Sequence, residues 1–275
     1  MSDLEGKVVI ITGVGRPRGV GRAAALRYAE KGAKLVLADL GSSDNAIGDI
    51  EGTTPDLNRV AAEVAAAGGD AIAVATDVSK EADVKRLIEQ AVDKYGRIDS
   101  MIANAAILAG KGDPLDISLE TFMRIQEVNV AGVFLCLRES VRQMRAQGGG
   151  GSIVTVGSRA SRRGDANIAA YSASKFSVLG LTQSFAMAYA KDGIRINCVC
   201  PGAVDTEMYV RQTNDFAGRE GVDFETAKKQ MGDVIPLGRL TSGDDVAKAI
   251  VWFTSDETSH VTGQAFNVNG GSWMN

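Results

Sequence analysis

The sequence predicts an α/β fold, a doubly wound sheet of seven parallel strands with helices on both faces, and two observations predict it. Seven short runs rich in Val, Ile, Leu and Ala recur from end to end, at 7–11 (KVVII), 34–38 (KLVLA), 71–75 (AIAVA), 98–103 (IDSMIA), 152–156 (SIVTV), 194–199 (IRINCV) and 264–268 (QAFNV). Runs that are apolar at successive positions suit strands covered on both faces. The stretches between them are a dozen residues or longer and carry apolar residues at helical spacing, which is the length a crossover between parallel strands needs.

Taken in order, the first run leads into a glycine-rich turn, TGVGRPRGVG (12–21), which opens directly into the helical pattern RAAALRYAEKG. Further helical patterns cover 80–95 and 173–190. Another starts near 243, where Ser242 can cap and Asp244 and Asp245 lie in the first turn beside the positive end of the helix dipole. QGGGG at 147–151 reads as a flexible turn into a strand. Two long stretches, 41–55 and about 202–240, show no regular pattern, and such lengths inside a compact domain usually serve as lids or insertions. No change of composition marks a linker, so residues 1–275 read as one domain with a substrate lid at about 203–235.

Composition narrows the function. A chain of 275 residues, 45% hydrophobic and 23% charged, buries a sizeable core. Its net charge of −4 gives no attraction toward nucleic acid or an anionic membrane surface. No apolar run reaches the length of about 18 residues that a membrane helix needs, and the acidic amino terminus does not resemble a targeting signal, so a soluble, cytoplasmic protein is expected. Three cysteines cannot form a complete disulfide framework, and Cys198 and Cys200, two apart in a strand, share one face as buried, reduced thiols. With His260 the single histidine, no metal site is expected and hydrolysis by a Ser-His-Asp triad is disfavoured. Phe185, Met187 and Trp252 read as core residues.

The glycine-rich turn is the first candidate site. Gly13, Gly19 and Gly21 permit a tight turn, and with Val20 they bring backbone N–H groups toward a pyrophosphate at the positive end of the following helix. The turn by itself would also fit a loop that binds nothing. Asp39 changes the balance: it ends the second strand, 18 residues after Gly21, where a carboxylate accepts both ribose hydroxyls of NAD and repels the extra phosphate of NADP. A strand-end turn residue is the ordinary alternative. Asp77, followed by Val78, ends the third strand near the expected adenine edge, and Asn104 follows the fourth. All four elements end at one edge of the sheet, where open α/β folds bind ligands.

These pieces together resemble the short-chain dehydrogenase/reductase family, whose fold is of the Rossmann kind, over nearly the whole chain. The likeness rests on turn 12–21, Asp77-Val78, Asn104-Ala105-Ala106, Asn129 in VNVAGVF, Ser158 in IVTVGS, Tyr171-Ser-Ala-Ser-Lys175, Pro201-Gly202 and the closing VNGG. Tyr171 follows Ser158 by 13 residues and Lys175 follows Tyr171 by four, the family's spacing. Three departures stand out. Five residues separate Gly13 from Gly19 where the family usually has three, Asn269 stands where Asp is usual, and 41–55 is longer than the common pattern, similar to a subgroup that holds NAD under an extra loop.

The resemblance implies an NAD-dependent enzyme that interconverts a secondary alcohol and a ketone, with Asn129, Ser158, Tyr171 and Lys175 as its catalytic group. Residues four apart share a helix face, so Tyr171 and Lys175 point together. A phenol of ordinary pKa about 10 is a poor base near neutrality, and a nearby ammonium favours the phenolate. By the resemblance Lys175 also holds the nicotinamide ribose, Ser158 steadies the substrate oxygen, and Asn129 holds a water linking Lys175 to solvent. Tyr171 takes the hydroxyl proton in the oxidation direction. Pro201, Gly202, Val204 and Thr206 are implied to bind the cofactor, and the chain is implied to be a homotetramer or homodimer built from long helices and the carboxyl-terminal segment.

Competing readings are a reductase of carbon–carbon double bonds on the same fold, whose members space Tyr and Lys further apart, and a dinucleotide sensor without catalysis, which would not need the proton-transfer residues. Arg18, just before Gly19, accompanies NADP use in some resembled members, and Asp39 opposes that. The substrate is expected to be a small polar molecule such as a polyol, sugar or hydroxy acid, because segment 210–234 is polar with few aromatic residues. Arg159, Arg162 and Arg163, directly after Ser158 in GSRASRRGD, either recognise an anionic group of that substrate or form a solvated loop that meets Asp165 or a facing subunit.

Overall fold

Seven parallel strands form one sheet in the order β3-β2-β1-β4-β5-β6-β7 in the computed structural model, which describes residues 4–40 and 56–274 except for the side chains of Met208 and Arg211. The strands are β1 (Val8–Thr12), β2 (Lys34–Asp39), β3 (Asp70–Ala75), β4 (Ser100–Ala103), β5 (Gly151–Val156), β6 (Ile194–Pro201) and β7 (Ala265–Val268). They fall within a residue or two of the seven apolar runs. The expected insertion at 41–55 lies outside the described residues.

Each face of the sheet is covered by three long helices. On one lie α1 (Val20–Glu30), α2 (Leu57–Ala66) and α9 (Gly243–Thr254), packed on Val9, Ile11, Leu35 and Leu37. On the other lie α3 (Glu81–Tyr95), α5 (Gly132–Gln147) and α6 (Ala169–Tyr189), packed on Val8, Ile10, Val36 and Met101. Alternate residues of β1 thus serve opposite cores, as strand geometry dictates, and both sets are fully buried. A short α4 (Leu119–Gln126) runs into α5 through a π-helical turn, Glu127–Ala131. The predicted capping at Ser242 is present as a reciprocal box with Asp245 at the start of α9. Together the sheet and its two helical layers make one doubly wound domain.

Two expectations need correction. Much of 202–240 is not irregular: it folds as α7 (Glu207–Glu220) and α8 (Phe224–Asp233), joined at Gly221 with φ +66 and started again by Asp223, whose side chain accepts the Thr226 N–H at 2.9 Å. The buried side of these helices is made of Thr213, Ala217 and Ala227, small residues that leave no strong apolar period. Met187 and Trp252 are not core residues, being 84% and 39% exposed. Helix α6 buries instead a stripe of Ala170, Ser174, Val178, Thr182 and Ala186 at intervals of four, which turns Met187 outward. Phe185 packs partly buried between Phe134 and Tyr189.

The order places β1 beside β4, with the chain leaving these two strands in opposite directions. Such a switch point opens a crevice beyond the carboxyl ends of the strands.

Candidate active site

At the crevice, β1 ends in Thr12 and the chain turns through Gly13, whose φ is +73. A Cβ on Gly13 would lie 2.8 Å from the Ala105 Cα, and one on Gly21 would lie 2.4 Å from the Gly13 carbonyl oxygen. Only glycine fits either place. Asn104 fastens this cradle, its Nδ2 donating to the Thr12 and Gly13 carbonyls at 2.9 and 3.0 Å. Helix α1 then starts at Val20 from Gly19, with no side-chain cap and no acidic residue in its first turn, an arrangement suited to an anion. Gly13, Gly19, Val20 and Asn104 line the cleft. Gly21 does not, and its part is the close packing of helix on turn.

The two additional residues of the turn are absorbed locally: Gly19 N–H donates to the Arg16 carbonyl at 3.0 Å, closing a tight loop that puts Arg16 on the cleft wall. Arg18 points elsewhere. Its guanidinium pairs with Asp205, and its backbone N–H donates to Glu207 Oε1 at 2.8 Å. Asp39 lines the cleft beside Asp77 and Val78. Its carboxylate is fixed by the N–H groups of Gly15 (2.7 Å) and Leu40 (2.8 Å), which leaves each oxygen a lone pair for a further donor. Asp77 is turned by bonds to the Ser79 N–H and hydroxyl at 2.9 and 2.6 Å.

Ser158, Tyr171 and Lys175 meet in the same cleft. Lys175 is 2% exposed, its Nζ donates to the Val156 carbonyl at 2.8 Å, and it lies 5.5 Å from the centre of the Tyr171 ring. Ser158 is locked by a reciprocal cap: its Oγ accepts the Ala160 N–H at 3.1 Å, while its own N–H donates to Ser161 Oγ at 3.1 Å. Asn129 does not reach the cleft. Within the π-helical turn it is fully buried, accepts the Ile107 N–H at 2.8 Å, and donates to the Ile107 carbonyl at 3.0 Å and Ser174 Oγ at 3.1 Å. It thereby clamps the loop after β4 to the helix that carries Tyr171 and Lys175.

The remaining wall follows β6. Pro201, Gly202, Val204 and Thr206 line the cleft, joined by Glu207, Tyr209 and Gln212 from α7. Tyr209 and Gln212, three apart, share a helix face. Gly202 is pressed on Asn269, where a Cβ would come within 2.7 Å of the Asn269 Cβ. The Asn269 amide uses both ends, accepting the Gly271 N–H at 3.0 Å and donating to the Trp273 carbonyl at 2.8 Å. An ionised aspartate could not donate, which accounts for asparagine here. The apolar Ile107, Leu108 and Ile168 also line the cleft.

Arg16, Glu207, Tyr209 and Gln212 were not singled out by sequence reasoning. The i, i+3 pair of Tyr209 and Gln212 was readable only once 207–220 was known to be helical. Of the three arginines after Ser158, Arg159 lines the cleft and meets Asp165 at 3.5 Å. Arg162 donates to the Ala265 carbonyl and helps hold the Cys200 thiol below its ordinary value, behind the larger effect of the hydrogen bond with Cys198. Arg163 stacks on Trp273, 5.0 Å from the ring centre. The three cysteines are free and buried, as read from the sequence. Among the described residues no group of acidic, cysteine or histidine side chains could hold a metal, and no helix is long and apolar enough to cross a membrane.

A glycine cradle at a helix start, an acidic residue ending β2 and a Tyr–Lys pair in one crevice define an oxidoreductase site for a nicotinamide dinucleotide. Comparison with known proteins agrees. Residues 13–272 match the family model described as enoyl-(acyl carrier protein) reductase. The sorbitol dehydrogenase of Cereibacter sphaeroides is 32% identical, over 98% of this chain and 99% of that protein. Galactitol 2-dehydrogenase of Agrobacterium fabrum is 33% identical, over 98% and 99%. The crystal structure of carveol dehydrogenase from Mycobacterium avium in complex with NAD superposes with a TM-score of 0.89 at 27% identity, covering 99% of each chain. The chain belongs to the short-chain dehydrogenase/reductase family.

Proposed function

We propose that this protein is an NAD-dependent enzyme interconverting a secondary alcohol and a ketone on a small polar substrate, a polyol, sugar or hydroxy acid. The observation that carries the reading is the buried Lys175 ammonium beside the Tyr171 ring, in the cleft that also holds Asp39. The polyol dehydrogenases among the relatives support it.

The cradle at Gly13 and Gly21, which any Cβ would fill, and the fixed Asp39 carboxylate suit the dinucleotide. When bound, it supplies the hydride acceptor, or in its reduced form the donor. The chain's own residues handle the proton. Lys175, anchored on the Val156 carbonyl, is held beside the phenol ring, with its Nζ 5.5 Å from the ring centre. Tyr171 takes the proton from the substrate hydroxyl during oxidation and returns it during reduction. Ser158, whose rotamer is fixed by its own cap, donates to the substrate oxygen as charge grows there. Asn129 acts as a positioning residue, clamping the Ile107 loop to the helix that carries Tyr171 and Lys175. Asp39 favours NAD over NADP, and with its guanidinium on Asp205, Arg18 is not turned toward a second ribose phosphate.

Segment 203–235 serves as the lid over the substrate. A homotetramer or homodimer is proposed, since Phe134, Phe176 and Met187 expose apolar surface on α5 and α6, and Trp252 and Phe266 do so on α9 and β7. The proposed location is the cytoplasm. A carbon–carbon double-bond reductase is the second reading, suggested by the description of the matching family model, and the four-residue spacing of Tyr171 and Lys175 speaks against it. The deciding experiment follows nicotinamide absorbance with sorbitol, galactitol and gluconate against NAD and NADP. Alcohol-dependent reduction of NAD is expected. Oxidation of NADH by an enoyl thioester, with no alcohol turned over, would replace the proposal by the second reading.

A further inference from the structure

Glu207 is the first residue of α7 and part of the cleft wall. One of its oxygens accepts the Arg18 N–H at 2.8 Å. The other, Oε2, is buried and has no hydrogen-bond partner among the described residues. Two residues earlier, Asp205 bridges the Arg18 guanidinium and Lys228 Nζ, the latter at 2.7 Å. The lid is therefore tied to a single residue of the glycine-rich turn twice, through its backbone and through its side chain.

The two ties differ in character. The Arg18–Asp205 pair is partly exposed and screened, and contributes little. Glu207 carries more: its charged carboxylate holds the turn through one charge-assisted hydrogen bond, and its second, buried oxygen has no protein partner and is left for a donor that only a rearrangement can bring. Its donor, the Arg18 N–H, directly precedes Gly19, from which α1 starts, so the carboxylate stands at the helix end suited to an anion. A dinucleotide phosphate at that end would face a charge of its own sign, in competition for the same electropositive turn.

We propose that Glu207 is a latch, a carboxylate that occupies the phosphate end of the site in the free protein and is displaced when the dinucleotide binds. Its release frees the start of α7, the helix that carries Tyr209 and Gln212, so the substrate wall is set after the cofactor is in place. This inference rests on the dinucleotide reading of the cleft. It lowers the affinity of the free protein for cofactor, since part of the binding energy goes into breaking the latch.

The test uses Glu207→Gln, which keeps the shape and an acceptor but removes the charge, together with Glu207→Ala. NADH affinity is measured by calorimetry, and lid release by the rate of tryptic cleavage at Arg219, Lys228 and Lys229 without nucleotide. The latch predicts that both variants bind NADH about tenfold tighter, the effect expected of one charge-assisted contact, and that both are cleaved faster than the parent. NADH binding weakened fivefold or more with unchanged cleavage would mean that Glu207 holds the cofactor, and would overturn the latch. Affinities within twofold of the parent would overturn it too, leaving the catalytic assignment intact. A parent protein that binds neither NADH nor NADPH would remove the dinucleotide reading itself.

Discussion

Replacing Gly21 by alanine adds one methyl group at the tightest point of the cradle. Its carbon would lie 2.4 Å from the Gly13 carbonyl oxygen and 2.9 Å from Asn104 Nδ2. Ordinary contact begins near 3.4 Å, so the turn or the start of α1 must move by about 1 Å. The Gly13 carbonyl is not free to yield, since it accepts from Asn104 at 3.0 Å, and Gly21 is buried at the start of a helix packed on α9. Overpacking of this kind costs about 1–3 kcal/mol, which lowers Tm by about 2–10 °C in a chain of this size. The displacement falls on the phosphate end of the site, so the dissociation constant for NADH is expected to rise at least tenfold, measured by calorimetry. Gly218→Ala is the control. Nothing lies within 4 Å of a Cβ there, in the last turn of α7, and alanine should stabilise by about 0.5–1 kcal/mol with NADH binding unchanged. A Gly21→Ala protein with the parent's Tm and NADH affinity within twofold would refute the close-packing argument.

Asp39→Ser removes the charge that faces a ribose phosphate, and kcat/KM with NADP relative to NAD should rise by at least tenfold; an unchanged ratio would show that Asp39 does not select the cofactor. Arg159→Met should alter kcat/KM for gluconate by about tenfold or more, whereas Arg163→Met, at the Trp273 stack, should stay within twofold. Asp244 links α9 to α1 through a two-point pair with Arg27, and that bond holds its carboxyl near 2 instead of 3.8. The folded-state value is the lower one, so the stabilisation is present above pH 3.8 and is lost as pH falls toward 2. Asp244→Asn should cost no more than about 1 kcal/mol near neutrality, the pair being 34% and 43% exposed, and the Tm difference from the parent should vanish near pH 2.

The sheet was legible because its strands are buried on both faces: VVIIT in β1 and KLVLAD in β2 cannot be read as amphipathic helices, and the crossovers between them were of helical length. The cleft was legible where one residue type answers one geometric demand, as with Gly13 at positive φ or Asp39 at a strand end. It was less legible where a residue acts through the main chain. Asn104 lines the cleft and Asn129 lies behind it, and their amides bond to the carbonyls of Thr12, Gly13 and Ile107, contacts that only the assembled fold brings together. Helices α7 and α8 were missed because their buried faces use Ala, Thr and Gly, and with them went Glu207, Tyr209 and Gln212. Arg18, Arg162 and Arg163 show the same limit from the other side: charge was visible in sequence, but the partners Asp205, Ala265 and Trp273 lie 187, 103 and 110 positions away.

The assignment of Tyr171 as the proton-transfer residue is tested most directly by Tyr171→Phe, which removes one hydroxyl and keeps the ring beside Lys175. Two quantities are needed from the same preparation, kcat with the best alcohol found and the dissociation constant for NADH. The account predicts that kcat falls by about 10²–10⁴ while NADH affinity stays within threefold, since loss of general acid–base catalysis leaves the cradle and Asp39 untouched. A variant whose kcat remains within threefold of the parent would contradict it.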